Sequence, residues 1–478
     1  MIESDTAAAQ KLLERITTAA PGLREAHKLL WESALRRCDF ASAAQVMDVA
    51  LSRWPNSKEF LSHRSDALYN TGRFDEARAD LERRVERDDY YLPAVLLGLL
   101  LHSQGEPEAA LRPLNRALMR VATAPIGQLA QVLTCLMRVY RDLGRTAEAD
   151  DAVKALGDLY AQKPAHVSSM ILGVINRRDC WEWDRYRSKD GLARAFKAAG
   201  DQAPRHPATY LLPGDAELLQ EDAKAGKSGP VWIVKPNDLF GGQGMVLTDD
   251  VSTIDLSQDQ VVQHYLDRPH LVNGHKAHLR TYVLITGSEP LRAWFYRDGL
   301  VRFAPARFEK GDGWLSRSDM HITNTALHEG HPGVRFNPDP SVENDGTVWG
   351  LAAFAREVVP QADARKAFWH SLEDIARRLL SVVARDGLFK LQAKAGRTFR
   401  PKLIGLDIIL DEGLRPWLLE IQRMPGQTGE GPVNTVNTRL CRTIFEMTTT
   451  ATGPGTDAEI TDREHRHEEA NAGAFRRL

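Results

Sequence analysis

The sequence predicts a multidomain protein in which an all-α helical repeat is followed by an α+β domain. Residues 25–162 carry one helical pattern after another, with a loose motif that recurs at the spacing of helix pairs. From about residue 231 the pattern changes to short apolar or alternating runs separated by glycine-rich and turn-forming segments, which indicates strands. Helical periodicity returns over residues 348–357 and 365–385, so the second half mixes helices with strands.

Composition indicates an ordinary globular protein of about three domains, since the chain has 478 residues with 43% apolar and 26% charged content. No apolar run approaches the roughly 20 residues of a membrane span, and Met1–Asp5 is acidic where a secretory signal is basic. A formal charge of −2 gives no reason to expect nucleic acid. The cysteines are far apart, without metal or redox spacing: Cys38, Cys135, Cys180 and Cys441. We therefore expect a cytoplasmic protein with no membrane and no nucleic-acid partner.

The helical repeat rests on a motif of a small or polar residue, an aromatic residue or proline, an acid and an alanine. Three of its alanines, at positions 43, 77 and 110, are 34 and 33 residues apart, and the fourth, at 149, follows after 39. This period resembles that of tetratricopeptide repeats. Stacked helix pairs of this kind either offer a concave surface to a protein or peptide partner or serve as a scaffold for the next domain.

Residues 163–230 are predicted to form the N-terminal part of the second unit. Lys189–Ala199 has a helical pattern, and Thr209–Pro213 is a short extended piece. Gly226–Ser228 is similar to the end of a P-loop, but position 221 is Glu where that motif needs Gly, so a surface turn is the better interpretation.

A glycine-rich loop is predicted between two strands. Val231–Pro236 is a strand that ends near Lys235, and Gly241–Met245 follows six residues after that lysine. Such a loop can present bare N–H groups to phosphates, and Lys235 could reach their oxygens. The alternative is a plain hairpin turn. A protein kinase is excluded because its lysine follows the loop and its HRD and DFG motifs are missing here.

Two further segments favour a nucleotide site. Val261–Tyr265 is an apolar strand suited to lie beside an adenine ring with its backbone groups available. Gly274–Thr286 alternates cleanly, and three basic residues on one strand face indicate either a solvated edge or an anion site. That face carries Lys276, His278, Arg280 and Tyr282, and the other carries Leu279, Val283 and Ile285. Downstream, the segments 291–297 and 299–304 are predicted to form a hairpin around Asp298-Gly299.

The stretch Leu403–Gly426 is predicted to be a β-hairpin with one carboxylate in each apolar strand. Asp407 and Glu420 are equidistant from the loop centre and should be cross-strand partners, and Gln422 points the same way. Two buried carboxylates need something positive beside them, and oxygen ligands of this kind suit Mg²⁺. The alternatives are that Lys or Arg satisfies each carboxylate, or that the register slips and the two face apart.

These segments occur in a fixed order, and the series resembles the tubulin–tyrosine ligase-like family of ATP-grasp enzymes over residues 200–440. The segments are WIVKP (232–236), GGQG (241–244), VVQHY (261–265), GHKAHLRTYVLIT (274–286), LRAWFYRDGLVRFA (291–304), HITN (321–324) and IGLDIILDEGLRPWLLEI (404–421). The resemblance implies an ATP-grasp fold over residues 231–450, with two α+β subdomains gripping ATP. It also implies an ADP-forming ligation of an amino acid to a protein or peptide acceptor, in which a carboxylate is phosphorylated and an amine attacks the acyl-phosphate.

The resemblance also implies roles for individual residues. The cofactors are ATP and Mg²⁺, with Mn²⁺ as an alternative. Residues matched to nucleotide contacts are Lys235, Gly241, Gly242, Gly244, Gln263, His264, Tyr265, Lys276 and Thr323. Residues matched to the reacting phosphate, acyl-phosphate or carboxylate, and to catalysis, are Arg280, Arg302, Asn324 and Glu420. The implied metal ligands are Asp407, Glu420 and Gln422.

Two positions depart from the family pattern. His278 stands where the family has an acid that shapes the pocket, so amino-acid specificity does not carry over. Gln422 stands where the family has Asn and offers its amide oxygen from one methylene further out. The helical front half is not usual in tubulin-modifying members, so tubulin is not implied as the acceptor.

The leading hypothesis is an active ligase whose acceptor is presented by the helical repeats. The alternatives are a nucleotide-binding interaction module without ligase activity, and an ATP-grasp ligase acting on free small molecules. The ends of the chain outside these units are an N-terminal segment, 1–24, and a polar tail, 451–478, that is expected to be disordered.

Overall fold

The computed structural model confirms the predicted class, a helical stretch followed by a domain of sheets and helices. It describes residues 15, 17–36, 39–87, 89–122, 124–162, 183, 186, 188–225, 231–237, 244–288, 290–328, 330–337, 339, 341–388, 401–422, 432–448 and 457–478. Predictions for Gly241, Gly242, Cys38, Cys180 and the segment 226–228 lie outside the described residues. Within them, no helix is long and apolar enough to cross a membrane.

The first third of the chain is a stack of antiparallel helix pairs. Its helices are α1 (Arg24–Arg36), α2 (Phe40–Arg53), α3 (Lys58–Asn70), α4 (Phe74–Arg87), α5 (Leu92–Ser103), α6 (Pro107–Val121), α7 (Ile126–Asp142) and α8 (Thr146–Gln162). The motif alanines are at most 1% exposed, because they lie where paired helices approach closely: Ala43, Ala77, Ala110 and Ala149. The glycines before α4, α6 and α8 have φ of +76°, +79° and +69°, the left-handed conformation that ends one helix and starts the next: Gly72, Gly105 and Gly144.

A small antiparallel sheet opens the second half. Its strands are β1 (Thr209–Leu212), β2 (Trp232–Pro236), β3 (Val246–Thr248) and β4 (Gln260–His264), in the order β1-β4-β2-β3. Two helices accompany it, α9 (Lys189–Ala199) and α10 (Ala216–Ala225). Leu219 of α10 packs with Trp232 and Val262 of the sheet, so the small sheet has a hydrophobic core of its own.

A larger sheet forms the centre of the molecule. Its strands are β5 (Leu271–Val272), β6 (His275–Ser288), β7 (Leu291–Phe303), β8 (Val348–Gly350), β9 (Lys402–Leu410), β10 (Pro416–Gln422) and β11 (Phe475–Arg477). The main order is β10-β9-β6-β7-β11, with β5 paired to β6 and β8 to β7. The helices of this part are α11 (Ser318–His321), α12 (Leu351–Val358), α13 (Ala362–Arg385), α14 (Pro432–Thr448) and α15 (Asp457–Ala470). The predicted alternation of β6 is confirmed, since Leu279, Val283 and Ile285 all enter the core that includes α13.

The other face of the large sheet packs against the helical repeat. Tyr282 and Leu284 of β6 and Trp294 of β7 are at most 3% exposed and share one hydrophobic cluster with Leu133 and Met137 of α7. The same cluster contains Val436 and Leu440 of α14, the helix whose Asn437 accepts a hydrogen bond from the Tyr282 hydroxyl (3.3 Å). Deletion of the repeat would expose the part of this cluster that it contacts, which is unfavourable in proportion to the apolar area.

The prediction of a disordered tail is wrong for residues 457–478. Strand β11 adds to the edge of the large sheet, where Phe475 lies opposite Tyr296 and is 1% exposed. Helix α15 is attached by Glu468, which accepts a hydrogen bond from the Thr286 hydroxyl (2.8 Å) and pairs with the Arg292 guanidinium. Polar composition is misleading here because the polar side chains bond to partners distant in sequence.

The predicted hairpin around Asp298-Gly299 is also wrong, because β7 is one continuous strand with a bulge at this point. Thr281 of β6 lies opposite Gly299, whereas the next residue, Tyr282, lies opposite Tyr296. Gly299 has φ of +155°, and a Cβ there would lie 2.3 Å from the Arg280 carbonyl oxygen. The Asp298 carboxylate accepts the N–H of Ala352 (3.0 Å) at the start of α12. The Asp-Gly pair thus serves a bulge and a helix cap instead of a turn.

Candidate functional site

A cavity of about 760 Å³ lies between the small sheet, helix α9 and one face of the large sheet. Most of the predicted site residues line it, although they come from positions as distant as 235 and 422. They are Lys235, Gln263, His264, Tyr265, Lys276, Arg280, Arg302, Thr323, Asn324, Asp407, Glu420 and Gln422. Gly244 has φ of +67° but is not among the lining residues. The fold thus gathers these chemistry-bearing residues at one place.

The carboxylate pair predicted from the hairpin is confirmed, with Asp407 of β9 opposite Glu420 of β10. The geometry that produces it differs from a symmetric turn. Pro416 lies opposite Leu410, a register that is centred on Gly413 and would place Leu419 opposite Asp407. A bulge between Leu418 and Glu420 adds one residue to β10 and brings Glu420 to face Asp407.

The two carboxyl groups have opposite electrostatic environments. Burial disfavours the ionised form of Asp407, but the Arg280 guanidinium donates Nε–H and Nη2–H to its two oxygens and holds the pKa of Asp407 well below its usual range. Burial, reinforced by the neighbouring Asp407, raises the pKa of Glu420 to about 7. Gln422 Nε2 lies 3.4 Å from Asp407 Oδ2. Arg280 therefore satisfies Asp407, which agrees with one of the alternatives predicted from the sequence. The raised pKa of Glu420 favours its protonated form.

This donor set fits a divalent cation. Asp407 and Glu420 are cross-strand partners that line the same cavity as Gln422. Burial and the neighbouring Asp407 raise the pKa of Glu420, so a cation beside the pair would favour its ionised form. Mg²⁺ commonly takes one or two carboxylates and completes its shell with water and phosphate oxygens. The described part of the chain has no cluster of three or more His, Cys, Asp or Glu side chains that could hold a metal. A Mg²⁺ site with two carboxylates, completed by water and phosphate oxygens, does not require such a cluster.

Basic side chains face the carboxylates across the cavity. Burial lowers the pKa of Lys235 to about 8, and burial together with Lys235 lowers the pKa of Lys276 to about 7. Burial and the nearby Arg280 also lower the pKa of Arg302. Among the described residues, the Arg302 guanidinium makes no hydrogen bond or ion pair, although the charge of Asp407 partly offsets the shift. Desolvated positive charge of this kind is stabilised by an anionic ligand such as a phosphate or carboxylate.

The expected adenine hinge differs from the structure in its backbone. Strand β4 lies between β1 and β2, and the N–H groups of His264 and Tyr265 already donate to the carbonyls of Ala208 (2.9 Å) and Val231 (2.8 Å). The prediction of available backbone groups is therefore wrong for these two donors. The strand is internal because Thr209–Leu212, a short piece upstream of β2, adds to its other edge.

The side chains of the same segment are held by fixed partners. The amide oxygen of Gln263 accepts from Lys235 Nζ (2.7 Å), so Gln263 orients that lysine. His264 Nε2 pairs with Asp222 Oδ2 at 2.8 Å. The Tyr265 hydroxyl lies 2.8 Å from both Lys276 Nζ and His321 Nδ1. These contacts place the two lysine ammonium groups on the same side of the cavity.

Sequence reasoning assigned no role to Lys189 or His321, and both line the cavity. Lys189 Nζ donates to the Pro236 carbonyl (2.7 Å), next to Lys235. A helix start that carries a lysine was visible in the sequence, but nothing placed it beside β2. His321 lies inside the HITN segment, where only Thr323 and Asn324 were singled out.

His278 lines the cavity, and its burial favours the neutral imidazole. Burial lowers its pKa to about 3, although Asp407 acts in the opposite direction. Its Nδ1 is hydrogen-bonded to the Thr323 hydroxyl, and its Nε2 lies 3.9 Å from Asp407 Oδ1. His278, which replaces the acid expected from the family, therefore adds no charge to the cavity near neutral pH.

The family model for the tubulin-tyrosine ligase family matches residues 181–460, which is more than half of the chain. The chain belongs to this family. All of the cavity-lining residues predicted from the sequence lie within residues 181–460. The helical repeat precedes this range.

Curated relatives are similar to the same part of the chain. Tubulin polyglutamylase TTLL5 of Mus musculus is 31% identical over 48% of this chain and 17% of its own length. Tubulin monoglutamylase TTLL4 of Mus musculus is 31% identical over 50% of this chain and 20% of its own length. A probable beta-tubulin polyglutamylase of Tetrahymena thermophila is 30% identical over 51% of this chain and 21% of its own length. The chain thus spans about a fifth of the length of these relatives.

Proposed function

We propose that the protein is an ATP- and Mg²⁺-dependent, ADP-forming carboxylate–amine ligase of the ATP-grasp type, which adds an amino acid to a peptide or protein acceptor. The observation that carries the proposal is the meeting, in one cavity, of the Asp407–Glu420 pair with Lys235, Lys276 and Arg302. Desolvated carboxylates and cations that share a cavity without direct ion pairs among these five described residues suit a metal and a phosphorylated ligand. The names of the relatives, which describe addition of glutamate to tubulin, support an amino acid and a protein as the two substrates.

In this mechanism an oxygen of the acceptor carboxylate attacks the γ-phosphorus of ATP, which forms an acyl-phosphate and releases ADP. The amine of the amino acid then attacks the acyl carbon and expels inorganic phosphate, leaving an amide bond and releasing one proton. Lys235 and Lys276 would bind nucleotide phosphate oxygens, and Thr323 and Asn324 line the cavity beside them. Mg²⁺, held by Asp407, Glu420 and Gln422, would neutralise charge on the phosphates.

Arginine residues would hold the groups that react. Arg280 orients Asp407 through two hydrogen bonds, so its remaining donors face the cavity. The Arg302 guanidinium has no hydrogen-bond partner among the residues that the structure describes, and its planar fork suits a carboxylate or a phosphoryl group. Because phosphoryl transfer depends mainly on positioning and charge, these groups can supply the required stabilisation without a covalent enzyme intermediate.

The proposal is tested by Mg²⁺-dependent ADP release from the full-length protein, supplied with pooled amino acids and with cell extract as a source of acceptor. Release that rises with one amino acid and one extract fraction is expected. No release by a protein that still binds ATP in calorimetry would contradict the ligase assignment and favour a binding module. The full chain is used, because α7 and α8 contribute apolar residues to the cluster that contains Tyr282 and Trp294, and deleting these helices would open that cluster.

Lys235→Ala is expected to weaken binding of Mg·ADP by roughly tenfold to a hundredfold, the scale of a lost hydrogen bond to a charged group. Lys235 is half-buried, donates to Gln263 and lines the cavity, so the change removes a preorganised cation. Isothermal titration calorimetry measures the effect. Lys224→Ala, an exposed lysine at the end of α10, is the matched control and should bind as the unaltered protein does. Equal affinities of the two variants would remove Lys235 from the phosphate site.

A further inference from the structure

A chain of hydrogen bonds runs from the cavity to the backbone of a neighbouring loop. Lys276 Nζ lies 2.8 Å from the Tyr265 hydroxyl. That hydroxyl lies 2.8 Å from His321 Nδ1. His321 Nε2 lies 2.8 Å from the Trp314 carbonyl oxygen. Four residues from three separate segments are thus linked in a line that ends at a lysine ammonium facing the cavity.

The direction of this chain follows from its two ends. A carbonyl oxygen can only accept, so His321 Nε2 carries the hydrogen that bonds to Trp314. Burial lowers the pKa of His321, which favours the neutral imidazole, and its Nδ1 is then an acceptor. The Tyr265 hydroxyl must donate to that nitrogen, and its oxygen remains free to accept from Lys276. Every donor in the line has one acceptor, and no alternative direction satisfies them all.

The surroundings keep His321 in this orientation. Its ring contacts the rings of Phe308 and Trp314, with centroids 5.8 Å and 5.4 Å away, and that of Tyr265 at 5.3 Å. The turn Trp314–Ser316 also packs against β3 of the small sheet. Lys276 itself lies over the Tyr265 ring, 4.3 Å from its centroid. The chain therefore joins the small sheet, the large sheet and the loop between them at one wall of the cavity.

We propose that Tyr265 and His321 are positioning residues that act through Lys276, holding its ammonium group toward the phosphates of a bound nucleotide. This inference rests on the proposed function. It gives Tyr265 a role through its hydroxyl, in place of a contact to adenine through its backbone. It also explains why a histidine, with two ring nitrogens of opposite hydrogen-bonding character, stands at position 321. A side chain with a single polar atom could not bond to Trp314 and Tyr265 together.

Binding of Mg·ADP to the full-length protein, measured by calorimetry, tests the inference with four variants. Tyr265→Phe keeps the ring under Lys276 and removes the hydroxyl, and it is expected to weaken binding about tenfold, as for one lost hydrogen bond to a charged group. His321→Leu removes both ring nitrogens and should cause a similar loss. His321→Asn, whose amide oxygen can accept near the place of Nδ1, should recover most of that loss. The double variant Tyr265→Phe/His321→Leu should bind within about twofold of Tyr265→Phe alone, because both changes break one chain.

The kinetic counterpart separates positioning from general damage. The KM for ATP should rise in Tyr265→Phe while the KM for the amino acid stays unchanged, which a loosened fold would not produce. Unaltered binding by Tyr265→Phe, or additive losses in the double variant, would overturn the inference while leaving the ligase proposal in place. If Tyr265→Phe does not fold, the comparison of His321→Leu with His321→Asn decides, and equal affinities would overturn it. An unaltered protein that neither binds Mg·ADP nor releases ADP would overturn the proposed function and this inference with it.

Discussion

Replacing Glu420 with glutamine is expected to lower the rate of Mg²⁺-dependent ADP release by about a hundredfold or more. The change keeps the size of the side chain and its place opposite Asp407, but it removes one of the two carboxylates that would hold the cation. The amide oxygen can still contact a metal, although without the charge that makes binding strong. Increasing the Mg²⁺ concentration should recover part of the lost rate, since the defect lies in metal affinity.

The fold should survive this replacement. Burial and Asp407 raise the pKa of Glu420 from an ordinary value of 4.5 to about 7 in the folded protein. The stability contributed by its protonated form is fully present below about pH 4.5 and is lost as the pH rises through about 7. Glutamine has no proton to lose. Without metal, the variant should therefore unfold at the same temperature as the native protein at about pH 4 and at a higher temperature at about pH 8.

Glu412→Gln is the matched control for this experiment. Glu412 lies in the turn of the same hairpin, where its side chain is 62% exposed and pairs only loosely with Arg268 (3.5 Å). The Glu412→Gln protein should keep the native rate of ADP release at every Mg²⁺ concentration. A Glu420→Gln protein with a rate within about threefold of this control would take Glu420 out of the metal site.

The hairpin shows how far sequence reasoning reaches and where it stops. Equal distances from an assumed loop centre predicted the pairing of Asp407 with Glu420, and the pairing is correct. The loop centre that was assumed for this prediction is wrong. The turn is centred on Gly413, and the extra residue at the bulge restores the register. Alternation of apolar residues is visible in a sequence, whereas a bulge depends on cross-strand contacts and leaves no comparable local signal.

The errors at Asp298-Gly299 and in the C-terminal tail have one physical origin. An Asp-Gly pair and a polar segment are local signals for a turn and for disorder. In the folded chain Asp298 accepts from the start of α12 and from Arg439, and Arg292 pairs with Glu464 and Glu468 of α15. These partners are between 50 and 180 residues away in sequence, roughly the range in which local patterns carry no information. The residues that line the cavity, by contrast, were singled out through a resemblance to a family, whose fold brings distant segments together.

Arg302→Ala is expected to reduce the rate of amide formation by about a hundredfold to a thousandfold, the usual loss when one donor to developing negative charge is removed. Arg302 lies on β7 opposite His278 and faces the cavity. Among the described residues its guanidinium makes no hydrogen bond or ion pair, and Asp407 keeps its partner Arg280 when Arg302 is removed. Arg280→Ala is a less informative variant, because it would remove the hydrogen-bond partner of buried Asp407. A loss of activity could then reflect a loss of stability.

Stability and kinetics together decide what Arg302 does. Burial and repulsion from Arg280 lower the pKa of Arg302, so its charge is strained in the free protein and Arg302→Ala should unfold at the same temperature or higher. Arg302→Lys keeps the charge without the planar fork and should fall between the native protein and the alanine variant. Arg335→Ala, which changes an exposed arginine paired with Asp345, is the control.

A fall in kcat with an unchanged KM for ATP would place Arg302 at the acceptor carboxylate and acyl-phosphate. A rise in that KM with kcat unchanged would instead place it on the nucleotide, where uniform binding is lost and no transition-state contact is removed.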